Sequence, residues 1–389
     1  MHRVYLAPYG VGLGHASRLA LLAQSLKQPG IQFVFSSFGE AYNYIKGLGF
    51  RCNVVPPVEF LWGKNGEFSV KNNIRKIPQW LVNLPLQINK EIKYLMEFDP
   101  GVVVSDSRLS PLIAANILNK PRVLIINQIK LLLTPRLRDF KAARLYETCN
   151  GELMGGMWTL ANRILIPDLP PPYTISEETI SAVKSIRNKM DYVGFITTRN
   201  RVLDKNIDIT KNQLDIDSRK HTIFVHISGP KDTRLPIINT LIEILQSQTD
   251  LQIIISEGKT GGSTVPQRVN KNIWYYEWCP VRDEIMTFSD ALIIRGGHTA
   301  ISQAIQFGKP FISIPIESHG EQLSNSKKIE KLGIGKSINP KAITSQNIIQ
   351  NLNKIIYEET FQKEIEKIRN VSNRLNGIEN IKDIILAYS

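Results

Sequence analysis

IIRGGHTAISQAIQFGKPFISIPIESHGEQLSNSKKIEKLGIG, residues 293–335, reads as strand, turn, helix and strand in direct succession. An apolar strand over 291–294 runs into Arg295, Gly296 and Gly297, and a helix begins near His298 to Ala300. FGKP closes that helix and starts the next strand, ISIPI. Strand, helix and strand in this order make a βαβ unit, and βαβ units build a parallel sheet. Two glycines let a ligand approach the backbone, a helix N-terminus offers unpaired N–H groups, and Arg295 adds a positive charge. The turn therefore reads as an anion site. The polar loop that follows carries Glu317, His319, Glu321 and Gln322, side chains suited to hydroxyl-rich ligands.

The same alternation extends in both directions. HTIFVHIS, LQIIIS, NIWYYEW, ALIIRGG and PFISIPI form one series of buried strands, and RVYLAP, IQFVFSS, GVVVSD and RVLIIN form another nearer the N-terminus. Helical patterns such as 16–27 and 108–118 lie between them. The polar stretch 197–220 separates the two series and reads as a linker. The expected architecture is α/β, with two doubly wound Rossmann-like domains, 1–196 and 221–389, facing each other across a cleft; the last helix is free to pack back on the first domain. Sheets of this kind bind ligands at the carboxyl ends of their strands.

The first such turn is APYGVGLGHASR, residues 7–18. It is not a dinucleotide fingerprint, because His15 stands where the third glycine of G-x-G-x-x-G belongs. Nor is it a P-loop, because no Lys-Ser/Thr pair follows.

At 389 residues the chain exceeds one ordinary core. No apolar run approaches the ~18 residues of a membrane-spanning helix. The N-terminus enters a strand directly, with no leader pattern, and Cys52, Cys149 and Cys279 show no metal spacing. A reducing, cytoplasmic setting is expected. The net charge of +13 is uneven: residues 1–195 hold 23 Lys and Arg against 14 Asp and Glu, a net of +9, and the remainder holds 25 against 21. The excess suits nucleic acid, anionic lipid or a phosphorylated substrate. The aromatic motifs of RNA binders are absent, so no nucleic-acid partner is expected.

Taken together, the Gly-Gly turn, the helix, Gly-x-Pro, the strand, Glu-Gln and the Asn three residues later resemble the nucleotide-sugar site of GT-B glycosyltransferases. The resemblance is to family 28, the group of the lipid II N-acetylglucosaminyltransferase MurG and its counterparts in lipid-linked chitobiose synthesis. It also takes in the glycine loop with His15, the DPGVVVSD strand and HISGP, and so covers most of the chain. It implies an inverting transferase taking a UDP-sugar, UDP-GlcNAc above all, to a lipid-linked acceptor, with no cofactor and no metal. On the donor side it implies that Ser228, Gly229 and the Arg295, Gly296, Gly297, His298 and Thr299 turn meet the diphosphate. Cys279 then falls where a backbone amide reads the uracil, and Glu321 and Gln322 where the sugar is held. Gln303 departs from the family's usual Glu at the ribose and lacks its charge-assisted bond. Gly12, Gly14, Arg18, Ser107 and Arg108 are expected at the acceptor.

Inverting transfer needs the acceptor hydroxyl deprotonated as it attacks, a task that suits a histidine. His15 is the candidate base, its alternative being a cap on a helix starting at Ala16. Asp106 is the second candidate, as base, as orienter of His15 or as an N-cap. Residues 60–98 combine Trp62, Trp80 and Leu81 with Lys71, Arg75 and Lys76, the composition of a segment lying in a lipid interface. A second basic stretch is KLLLTPRLRDFKAAR, residues 130–144. A peripheral enzyme on the cytoplasmic face of an anionic membrane is expected, and a homodimer is open to it. A diacylglycerol-type acceptor and a UDP-GlcNAc 2-epimerase of the same fold are the competing expectations.

Overall fold

In a computed structural model the chain is described over residues 2–61, 63, 69–181, 183–197 and 203–388. Trp62, expected at the membrane, lies outside the described residues. The chain divides into two compact units, one running to Thr197 and resuming at Leu375, the other spanning Thr198–Arg374.

The first unit contains β1 (His2–Pro8), α1 (Leu13–Ser25), β2 (Ile31–Ser37), α2 (Gly39–Gly47), β3 (Cys52–Val54), α3 (Val70–Phe98), β4 (Val102–Asp106), α4 (Ser110–Ile117), β5 (Arg122–Ile125), α5 (Pro135–Arg138), α6 (Lys141–Trp158), β6 (Arg163–Ile166), α7 (Glu177–Ile180) and β7 (Met190–Tyr192). Its sheet is parallel, in the order β3-β2-β1-β4-β5-β6-β7. Alternate residues of a strand face opposite sides, and here both sides are covered. Val4, Leu6, Val102 and Val104 pack with Leu19 and Leu22 of α1, whereas Tyr5 and Val103 pack with Leu95 of α3 and Ala114 and Ala115 of α4. The chain reverses its direction of winding between β1 and β4, where Pro8 stands beside Asp106. Loops leaving the two strands there splay apart and open a crevice.

The second unit contains α8 (Asp204–Gln213), β8 (His221–His226), α9 (Lys231–Leu245), β9 (Leu251–Ser256), β10 (Gln267–Arg268), β11 (Ile273–Tyr276), α10 (Arg282–Phe288), β12 (Ala291–Ile294), α11 (His298–Phe307), β13 (Phe311–Ser313), α12 (Gly320–Lys331), β14 (Gly335–Ser337), α13 (Ser345–Tyr357) and α14 (Glu359–Arg374). The order β10-β11-β9-β8-β12-β13-β14 is parallel but for the β10 edge. Its reversal falls between β8 and β12, with His226 beside Ile294.

One boundary differs from expectation. The stretch read as a linker is partly folded: α8 packs on α10, with Thr210 and Leu214 buried and Trp274 Nε1 donating to the Leu214 carbonyl at 2.7 Å. Only a few inward positions suffice for this seating, which is why the stretch shows no apolar period. The closing helix α15 (Gly377–Tyr388) buries Ile378, Ile381 and Ile385 in the core of the first unit against α1, as an amphipathic stripe must be buried somewhere.

Candidate active site

In the first unit the glycine loop begins α1 three residues earlier than the sequence suggests, at Leu13. Gly12 is the N-cap, at φ 76° and ψ 150°, a backbone region open in practice to glycine. His15 therefore sits on the first helical turn and is not its cap. Its Nδ1 lies 2.7 Å from Asp106 Oδ1. Arg18, one turn along, donates to both carboxylate oxygens, Nε to Oδ2 at 2.5 Å and Nη2 to Oδ1 at 2.6 Å, and its Nη1 donates to Asn127 Oδ1 at 3.0 Å. Asp106 is fully buried. Burial alone raises its pKa, but the Arg18 guanidinium and His15 outweigh that and hold it down at about 2. Arg18 Nη2 also stands 3.1 Å from the His15 Nδ1; in the tautomer that donates from Nδ1 to the carboxylate, which only accepts, the lone pair falls on Nε2. The ring itself is 26% exposed, so its free edge meets solvent or substrate.

The turn after β4 is held tightly. Ser107 adopts φ 60°, rare for a residue with a side chain, and its N–H donates to the Ile125 carbonyl at 3.2 Å. Ser105 Oγ donates to the Arg108 carbonyl at 2.6 Å.

Arg18 and Arg108, expected to meet the acceptor, are instead turned inward. Arg108 is 3% exposed, ion-paired with the buried Glu91 of α3, and donates to the Ser36 carbonyl at 2.7 Å. A guanidinium with five donors that is taken from water must find acceptors, and both residues find theirs beneath the loops. Gly12 is exposed, and Gly14 and Ser107 are half-buried, on the chain just after β1 and β4.

In the second unit Gly296 is required by contact: a Cβ there would lie 2.5 Å from the Gln322 carbonyl oxygen and 2.6 Å from Ser326 Oγ. Asn325 Nδ2 donates to the Gly296 carbonyl at 3.1 Å. Because the peptide is planar and trans, the Gly297 N–H points away from α12. Gly297 is the N-cap of α11 with no side-chain cap bond, and Thr299 lies half-buried in its first turn. Such a helix start binds anions.

Arg295, expected to face the diphosphate, is buried and donates to the carbonyls of Ser228 at 3.3 Å, Ile314 at 3.3 Å and Thr233 at 2.7 Å. It braces the loops after β8, β12 and β13 from below, and burial lowers its pKa to about 10. A cation nearer the surface was missed. Arg234, on the first turn of α9, bonds the Gly229 carbonyl at 2.7 Å and Glu257 Oε1 at 2.6 Å, beside the half-buried Ser228 and exposed Gly229. Its place one turn beyond HISGP was the available signal. His298 is buried, with Ser302 Oγ donating to its carbonyl at 2.7 Å. Gln303 is buried on the same helix. Burial pushes the Cys279 thiol up to about 12, which leaves it neutral. Gln322 Oε1 accepts from the Ile316 N–H at 2.9 Å, shaping the loop before α12, and Glu321 is half-buried beside it. His319 caps α12, and Glu317 pairs with Lys341 at 2.6 Å.

Among the membrane candidates, Leu81 is 71% exposed and Lys71 and Arg75 are exposed, joined by Ile74, Ile77 and Val82. Lys76 is half-buried and donates to Gln79 at 2.6 Å. Trp80 departs from expectation: its Nε1 donates to the Glu59 carbonyl at 3.1 Å and its ring meets Phe60 edge-on, so it faces the protein. Among the described residues no helix is long and apolar enough to cross a membrane.

Residues 236–381 match the glycosyltransferase family 28 C-terminal domain. The chain is 27% identical to an uncharacterized glycosyltransferase of Methanosarcina acetivorans over 97% of this chain and 96% of that one. It is 29% identical to the UDP-N-acetylglucosamine–N-acetylmuramyl-(pentapeptide) pyrophosphoryl-undecaprenol N-acetylglucosamine transferase of Staphylococcus epidermidis, over 53% of this chain and 58% of that one. In fold it is similar to the glycosyltransferase SnogD from Streptomyces nogalater, with a TM-score of 0.67 at 15% identity over 99% of both chains. With its two parallel-sheet Rossmann-like units the chain has the GT-B fold, and its residues 236–381 are similar to the glycosyltransferase family 28 C-terminal domain.

Proposed function

We propose that the protein is an inverting, metal-independent glycosyltransferase that moves GlcNAc from UDP-GlcNAc to a lipid-linked acceptor, a polyprenyl or dolichyl diphosphate sugar, at the cytoplasmic face of a membrane. The observation that carries this reading is the His15–Asp106 pair, 2.7 Å apart at the switch point of a unit joined to a family 28 domain. In this reading the acceptor O–H gives its proton to His15 Nε2 as its oxygen bonds to the anomeric carbon, and the bond from that carbon to the diphosphate breaks with inversion. Asp106 holds the ring in the competent tautomer and stabilises the imidazolium that forms. The leaving diphosphate is met by the N–H groups at the start of α11 and by Arg234. The printed activity of the Staphylococcus epidermidis relative supports GlcNAc and a lipid-linked acceptor. The basic and apolar face of α3 supports a membrane surface.

The test is incubation of the purified protein with UDP-GlcNAc, UDP-Glc and UDP-Gal over prenyl-diphosphate-sugar and diacylglycerol acceptors. Transfer from UDP-GlcNAc to the prenyl-linked sugar is expected, and it should fall roughly 10²–10⁴-fold in His15→Ala. Transfer to no acceptor overturns the reaction, and undiminished transfer by the variant overturns the base.

A further inference from the structure

Helix α3 has two faces. Outward it shows the exposed Ile74, Leu81 and Val82. At helical spacing on the other side, Asn73, Trp80, Asn83, Gln87 and Tyr94 read the backbone of an extended segment, residues 54–61. Tyr94 Oη donates to the Val54 carbonyl at 3.0 Å, Gln87 Nε2 to Pro56 at 2.5 Å, Asn83 Nδ2 to Pro57 at 2.8 Å and Trp80 Nε1 to Glu59 at 3.1 Å. Asn73 takes both the N–H and the carbonyl of Leu61, each at 2.8 Å. This is a side-chain ladder that fixes the segment as a strap along the helix.

The Phe60 N–H leaves this ladder. It donates to Tyr9 Oη at 3.0 Å. The Tyr9 ring in turn stands edge-on to His15, centroids 5.7 Å apart at 83°, and edge-on to Phe38 at 5.7 Å and 86°. Asp106 Oδ1 and Arg18 Nη2 both meet one nitrogen of the His15 imidazole, at 2.7 and 3.1 Å, and the tilt of the ring about that point is left to its neighbours. Tyr9 is the aromatic ring packed on it, and Tyr9 is itself held by the Phe60 N–H and the Phe38 ring.

We infer that Tyr9 is a positioning residue for His15, mounted on the strap that α3 holds, so that the helix with the exposed apolar face also sets the angle of the imidazole. Its effect on transfer rests on the reading of His15 as the base; its effect on the ring does not. Two variants separate its parts. Tyr9→Phe keeps the ring and removes the acceptor of the Phe60 N–H, and Tyr9→Leu removes the aromatic edge. The experiment records the imidazole nitrogen and proton signals of the full chain labelled with ¹⁵N-histidine, with transfer kinetics and thermal melting on the same samples.

The His15 ring signals are expected to shift and broaden in Tyr9→Leu, less so in Tyr9→Phe and in Trp80→Phe, while the other five histidines stay in place. The value of kcat should fall roughly 10- to 100-fold in Tyr9→Leu with little change in acceptor KM. Unmoved His15 signals in a folded Tyr9→Leu, or in Tyr9→Phe and Trp80→Phe should the leucine variant not fold, overturn the inference. If the signals shift but His15→Ala still transfers sugar, the positioning stands and the catalytic reading falls.

Discussion

His15 and Asp106 show what a residue type leaves undecided. A histidine beside a glycine loop is a cap, a ligand or a base according to what meets its two nitrogens, and here a buried carboxylate held at about 2 meets Nδ1. Replacing Asp106 by Asn removes the constraint on the tautomer and leaves the Arg18 charge buried without a carboxylate. Transfer is expected to fall by 10²-fold or more, and denaturant unfolding should show a loss of about 3–5 kcal/mol. Since the folded pKa of Asp106 is depressed below its ordinary value, the stability it lends is full above about pH 4 and is lost as pH falls toward 2. His226 acts in the same sense, over a higher pH window. Half-buried at the end of β8, it is held neutral down to about 3, first by desolvation and then by Arg282, and its buried Nδ1 has no hydrogen-bond partner among the described residues. Below its ordinary value of 6.5 the unfolded chain takes up a proton that the folded chain refuses, so stability declines from about pH 6.5 toward 3. Thermal melts of His226→Gln across that range should show a shallower decline than the parent protein.

At the scale of elements, α3 decides the most. It was readable as an interfacial segment but not as one helix of 29 residues, because Pro78 and Pro85 interrupt the pattern. Both prolines lie on exposed turns, where the carbonyls they leave unpaired are open to water. The Glu91 end is fixed differently, by the ion pair with Arg108 and by Tyr5 Oη donating at 2.6 Å, so the helix root is buried and its outer half exposed. On the proposed reading, Leu81→Asp should weaken binding to anionic vesicles, and Lys71→Glu with Arg75→Glu should weaken it further, by about 1 kcal/mol per cation removed. Vesicle flotation at low and high salt checks this: equal binding by parent and variants argues against a membrane role for this face. Glu91→Gln strands Arg108 and should lower the melting temperature without changing flotation.

At the scale of the molecule, the C-terminal helix belongs to the core of the first unit although the 177 residues Thr198–Arg374 intervene. Ile381→Ala, at a fully buried position, should destabilise the first unit by about 2–5 kcal/mol and leave the second unaltered. Calorimetry reads this as a downward shift of one transition, and a parallel shift of both would contradict the division.

The two parallel sheets and the two glycine turns were legible in the sequence because they are local facts. A strand covered on both faces is an apolar run, and a chain that must bend toward a ligand uses glycine. The crevices followed from strand order, since β1 and β4, like β8 and β12, are neighbours only because the winding reverses between them. Short strands such as β3, β6, β7 and β14 carry too few residues to show a period. What only the tertiary structure decided is where the polar side chains point. Arg18, Arg108 and Arg295 look alike in sequence to ligand-binding arginines, yet each spends its donors on partners 109, 72 and 62 residues away, Asn127, Ser36 and Thr233. His15 meets Asp106 across 91 residues. A long cation reaches solvent or turns inward according to the acceptors the fold sets beside it, and those acceptors come from distant parts of the chain.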